Sequence, residues 1–318
     1  MPGEKPKIDI SKVIGYEYPP QKISYNRRDV ILHALGIGIG PEELKFVYEL
    51  DPNFAVFPTY PLGLSLKGDS NDVNSFAERV ALSASIPGFP PANSKKIVNG
   101  QQSLEILHHP LPLEGNFEMR SKIVGVYDKG KGMVLVDKHS TLIDPKTNIV
   151  YAKLENQSFM FGLGSFDGPK QEKGPRFVPP KDKNPDAIDV LKTETNQALL
   201  FRLSGDYNTL HADPTVGQSI GFNGAILHGI ATMSFAVRSI LKHFAENDPT
   251  RFKSVTGRFS NPVYPGETLE TRIWKIKEDK STILVVFETV LKERNKVAIS
   301  NGAAVLLKKS AGVESAKL

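Results

Sequence analysis

The chain has 318 residues, enough for about two domains, with 40% hydrophobic and 24% charged residues and no apolar run near the roughly 18 residues of a membrane span. It has no cysteine, which excludes disulfides, Cys-ligated zinc and thiol catalysis and leaves the chemistry to carboxylates, histidines, hydroxyls or backbone. The net charge of +5 is spread along the chain without a nucleic-acid motif, so no nucleic acid is expected, and a phosphorylated small ligand accounts for mild positive charge equally well.

The start MPGEKPKIDISK is polar and carries no basic-then-apolar leader. From Tyr25 to Leu35 the residues Val30, Ile31, Ala34 and Leu35 recur at helical spacing, and GIGIGP stops the helix near Gly36. The next apolar stretch is interrupted by Pro58 and Pro61, which predicts a loop leading into a helix or irregular turn. Four strand-like runs follow, QQSLEILHH, FEMRSKIVGVYD, GMVLVDKHSTLID and IVYAKLENQSFMF, separated by turns rich in Gly, Pro, Asn and Asp. Residues 167–185, dense in Pro, Gly and charge, read as a linker.

The second half repeats this plan. A helical segment is expected from about Thr195 to Leu203, an irregular loop to Gly224, a helix from about Leu227 to Phe244, and then four strand-like runs, SVTGRFSNP, LETRIWKIKED, TILVVFETVLKE and KVAISNGAAVLLK. Setting VILHALGIG against ALLFRLSGD pairs Leu35 with Leu203 and Gly38 with Asp206, and VFPTYPLGL falls opposite AILHGIATM. A third anchor, Gly115 against Gly266, keeps the same order, which argues duplication. The expected fold is α+β: two units, each a long helix wrapped by an antiparallel sheet.

The halves differ in chemistry. Asp206, Asn208 and His211 share one loop of the second half, and the first has no Asp, Asn or His there. A carboxylate accepts protons and a neutral imidazole both donates and accepts, so Asp206 and His211 are able to exchange protons with one water, with Asn208 holding either the pair or the water. Gly229 opens the following apolar helix, where backbone N–H groups lack intrahelical partners and steady developing negative charge. Each residue also has a structural reading: Asp and Asn make Asx turns, and Asp213-Pro214 has the form of a helix N-cap. His108 and His109 read as a strand end, and His33 as a helix-surface or core residue. Asp206, His211, Asp213 and His228 are of types that bind divalent ions, but no metal is expected, because the chemistry needs none.

The wording SGDYNTLHADP, followed by GFNGAILHGIATM and RFSNPVYPGETLETRIWK, resembles the hydratase 2 signature of (R)-specific 2-enoyl-CoA hydratases, the MaoC-like group of the hot-dog fold. VILHALGIG, LKFVYELDPNFAVFPTYP and LHHPLPLEGNFEMRSKIVGVYDKGKG are similar to the degenerate first repeat of peroxisomal multifunctional enzymes of type 2, so the resemblance covers nearly the whole chain. It implies a double hot-dog: a degenerate repeat over 1–166 that accommodates the acyl tail, the linker, and a catalytic repeat over 186–315. It also implies reversible hydration of trans-2-enoyl-CoA to (3R)-3-hydroxyacyl-CoA in peroxisomal fatty-acid β-oxidation, with no cofactor and a homodimeric state. Asp206 and His211 would be the catalytic pair, assisted by Asn208, and Gly229 N–H would hold the thioester carbonyl. Thr209 stands where the family commonly has Pro.

Arg258, ahead of the SNPVYPG turn, is a candidate for a CoA phosphate. The closing Ala316-Lys317-Leu318 resembles the Ser-Lys-Leu peroxisomal address, which makes an import receptor an expected partner. No dinucleotide-binding fingerprint precedes these elements, and the ending looks like the fungal arrangement, which implies a hydratase region excised from a longer enzyme. Two other readings keep the scaffold: a hot-dog thioesterase acting on similar substrates, and an acyl-CoA binding module without turnover.

Overall fold

A computed structural model of the chain describes residues 8–74, 85–91, 97–163, 166, 168–172 and 174–309. The terminal tripeptide 316–318 lies outside the described residues, as do positions 167 and 173 of the linker. The strands are β1 (Gln21–Tyr25), β2 (Ile97–Ile106), β3 (Gly115–Asp128), β4 (Met133–Ile143), β5 (Val150–Phe161), β6 (Ala187–Lys192), β7 (Phe252–Phe259), β8 (Thr268–Glu278), β9 (Thr282–Leu291) and β10 (Lys296–Leu307). The helices are α1 (Ile10–Val13), α2 (Arg27–Gly36), α3 (Leu64–Lys67), α4 (Gln197–Phe201), α5 (Pro214–Ser219) and α6 (Gly229–Phe244).

All the strands belong to one antiparallel sheet in the order β1-β3-β4-β5-β2-β7-β10-β9-β8-β6. Each half contributes five of them in the same relative order, the double hot-dog that the resemblance implies. The halves meet where β2 pairs β7, from Gln101 opposite Arg258 to Glu105 opposite Ser254. The two edge strands, β1 and β6, were not expected from the sequence. QKISY and AIDVLK are short, and in AIDVLK the buried position is Asp189 while Ile188 and Val190 are exposed, so hydrophobicity does not mark the strand; both become strands by pairing with β3 and β8.

Asn26 and Asp29 cap α2 reciprocally: Asn26 Oδ1 accepts from the N–H groups of Arg28 and Asp29, and Asp29 Oδ2 accepts from Asn26 N–H. The helix stops at Gly36, where the Gly-rich run begins. In the second half α6 is the long central helix, apolar on nearly every side and buried against β6, β7, β8 and β10. The aligned segment of the first half is shorter among the described residues: a 3-10 turn at Tyr60–Gly63 and then α3, closed by Gly68 at φ 65°. Pro61 at the head of that turn is the breaker the sequence anticipated. One apolar core takes residues from both halves, including Val30, Phe57, Tyr60, Phe201, Ile230 and Phe235.

Of the stretch read as a linker, Gln171, Phe177 and Lys183 are tied to the sheet. Gln171 Nε2 donates to Gln157 on β5, Phe177 N–H to Asn301 Oδ1 on β10 (2.7 Å), and Trp274 Nε1 on β8 to the Lys183 carbonyl (2.8 Å).

Candidate active site

The loop between α4 and α6 carries the site. A 3-10 turn at Arg202–Ser204 ends in Gly205 at φ 120°, a conformation L side chains avoid, and the chain then turns into Asp206. A Cβ at Gly205 would fall 2.6 Å from Lys67 Cα, so this turn is pressed against the end of α3 in the other half. Asp206 Oδ1 accepts from Asn208 N–H, and Asn208 Oδ1 accepts from Leu210 N–H, which caps the 3-10 turn Thr209–His211. Asn208 therefore holds the turn that presents His211. Asp213 accepts from Thr215 N–H with Pro214 at the first helical position, the N-cap read from the sequence, and this directs its carboxylate to α5.

The His211 ring is nearly buried, and its Nδ1 lies 2.8 Å from the Ile226 carbonyl. A carbonyl only accepts, so Nδ1 carries the proton and Nε2 of the neutral ring keeps its lone pair. That lone pair stands 3.9 Å from Asp206 Oδ2. The gap is too long for a direct hydrogen bond, yet one water oxygen would lie within reach of both atoms.

His228, the N-cap residue of α6, completes the cluster. Its ring stacks on His211 with centroids 3.6 Å apart and planes tilted 25°, and its Nε2 lies 3.2 Å from the Asp206 carbonyl oxygen. Burial, then the neighbouring His211, holds its pKa well below the ordinary histidine value. Asp206, His211 and His228 are the one group of potential metal ligands found among the described residues. Stacking argues against a shared ion, because each imidazole lone pair lies in its own ring plane and two nearly parallel planes do not converge on one point.

Gly229 is the first residue of α6, so its N–H has no intrahelical carbonyl, and the first ladder bond recorded at this end runs from Thr232 N–H to the His228 carbonyl. A Cβ at Gly229 would sit 3.2 Å from the Phe259 ring, so any side chain here would press on that ring as well as narrow access to the N–H. Arg258 stands apart from the cluster: its neighbours Gly257 and Phe259 turn toward α6, and its own side chain leaves on the other face of β7, exposed. His33 is a core residue, its Nε2 3.2 Å from Thr59 Oγ1 and its pKa pushed down by burial to about 3. His109 Nε2 donates to the Phe252 carbonyl just past the end of β2.

Residues 23–164 match the MFE-2 hydratase 2 N-terminal domain, and residues 176–299 match the MaoC like domain. The Dictyostelium discoideum protein named "Probable enoyl-CoA hydratase 2" is 39% identical over 306 residues, 94% of this chain and 97% of that protein. The chain belongs to the enoyl-CoA hydratase 2 family. Another member, the Mus musculus "Peroxisomal multifunctional enzyme type 2", is 38% identical over 95% of this chain, which matches 39% of the longer enzyme. The crystal structure of a MaoC-like dehydratase from Phytophthora capsici superposes with a TM-score of 0.85 at 38% identity, covering 96% of this chain and 100% of that one.

His228 is the residue whose part in the site sequence reasoning missed. The signal was available, a histidine directly ahead of Gly229 at a helix start, but its partners Asp206 and His211 are 22 and 17 positions away.

Proposed function

We propose that the chain adds water reversibly to trans-2-enoyl-CoA, giving (3R)-3-hydroxyacyl-CoA, at the loop of Asp206 and His211. The carrying observation is the 3.9 Å separation of two proton acceptors, Asp206 Oδ2 and His211 Nε2, in the loop that leads to the helix start at Gly229. A water between them gives up a proton to one member of the pair as its oxygen bonds to C3. The π electrons pass to the thioester oxygen, and Gly229 N–H, with the positive end of the α6 dipole, steadies that enolate. The pair then delivers a proton to C2, the enolate collapses, and both side chains return to their starting state. No redox change occurs, so this route calls for no cofactor beyond the CoA of the substrate. Asn208 acts by holding the turn.

The repeat over 186–315 carries the chemistry and the one over 1–166 shapes the acyl end of the substrate. Arg258, exposed on the outer face, is proposed only for the phosphate end of CoA. Ala316-Lys317-Leu318 is the proposed address for a peroxisomal import receptor, and removing it should leave the protein cytosolic. A homodimer is the proposed assembly, to be read by sedimentation. The direct test is incubation with trans-2-decenoyl-CoA. Loss of the enoyl absorbance with a (3R) product and no free CoA is expected; a (3S) product, release of free CoA, or binding without turnover overturns the reading.

A further inference from the structure

We propose that His228 is a positioning residue for this reaction: its imidazole donates to the Asp206 backbone on one side and supplies the flat surface on which His211 lies. The inference rests on the function proposed above.

Three observations carry it. His228 is 0% exposed, and its Nε2 is 3.2 Å from the Asp206 carbonyl, which can only accept, so Nε2 bears the proton. Its ring is held between two others, stacked on His211 at 3.6 Å and tilted against Phe201 at 4.8 Å. Its Nδ1 is buried without a hydrogen-bond partner among the described residues. An orphaned buried nitrogen costs stability, and a phenylalanine would fill the same slot without it. The polar ring is thus explained by what its other nitrogen does.

The silent half supplies a control. In the repeat register the position of His228 is occupied by Thr59, and that of Asp206 by Gly38. Thr59 Oγ1 bonds to His33, and the Gly38 carbonyl accepts instead from Arg238. The bond from an imidazole to the loop carbonyl is therefore found beside the carboxylate and not at its counterpart.

The test compares His228→Phe, which keeps the ring and removes the donor, with His228→Gln, whose side-chain N–H reaches to a similar position. With trans-2-decenoyl-CoA, His228→Phe should lower kcat about 100-fold, as expected for a loop displaced by a fraction of an ångström to an ångström, while KM changes little, and His228→Gln should recover most of the rate. A wild-type kcat in His228→Phe, or equal losses in both variants, overturns the proposal. Should either variant fail to fold by thermal melting, nitrogen NMR of the histidine-labelled wild type decides: the proposal requires His228 to be neutral and Nε2-protonated between pH 5 and 8, and an Nδ1-protonated or charged ring overturns it. Absence of any hydration by the wild type refutes the proposed function instead, and the NMR reading stands independently of it.

Discussion

Position 206 holds a carboxylate, and its register partner in the first half, position 38, holds a glycine; the structure shows what fills the space instead. A Cβ at Gly38 would meet the Phe235 ring of α6 at 2.8 Å. Arg238, one turn further along α6, donates to the Gly38 carbonyl at 2.6 Å and pairs with Glu42 and Glu43. The counterpart position is thus packed shut by the helix of the chemically equipped half. In return the end of α3 backs the active loop at Gly205, where buried Lys67 is tied to the carbonyls of Ser24 and Ser70 and to Asp29. Across the register each half thus packs against and supports the other.

Four experiments press on that comparison. The largest effect is expected at the carboxylate and imidazole: Asp206→Asn and His211→Gln should each lower kcat about 100- to 10,000-fold with the melting temperature kept. Hydration at the wild-type rate by either variant would remove that residue from the site.

Glycine at the two contact points separates scaffold from site. Gly205→Ala and Gly38→Ala both place a Cβ at positive φ against packed atoms, and each should destabilise by about 1–3 kcal/mol, read as a lower denaturant midpoint. Gly205→Ala should also cut kcat in the folded fraction, because its neighbour is Asp206, whereas Gly38→Ala should not. Equal kcat losses in both would erase the distinction between the halves.

Acid should expose the buried histidines. The folded-state pKa values of His33 and His228 are depressed below the unfolded value near 6.5, so unfolding takes up protons once the pH falls below it. Their contribution to stability is complete above pH 6.5 and is lost on acidification toward the folded values, for His33 down to about 3, at about 1.4 kcal/mol per pH unit for each fully responding histidine. His33→Phe should flatten part of this slope in urea titrations; an unchanged slope would show that His33 is not held neutral by the fold.

The smallest effect is on substrate choice. A Cβ at Gly63 would make only ordinary contact, 3.7 Å from Ile230 Cδ1, so Gly63→Ala should fold and shift the ratio of long-chain to short-chain enoyl-CoA turnover by a few-fold. Equal changes for both lengths would detach the first half from the acyl end.

Much of this was legible one residue at a time. Helical spacing over Val30–Leu35, the Pro61 interruption, the Asp213-Pro214 cap and the eight long strand-like runs all lie in local pattern, because helix and strand periods record which side of an element is buried. The crowding of Asp206, Asn208 and His211 in one loop and the duplication register were likewise written in the chain. Tertiary structure decided what joins distant segments. β1 and β6 are too short to announce themselves and exist through their partners, and the 167–185 stretch has linker composition but is held by Asn301 and Trp274. The stacking of His228 on His211, the closure of Gly38 by Phe235 and the seat of Gly205 on Lys67 depend on distances across segments 17, 197 and 138 residues apart, which no local periodicity encodes.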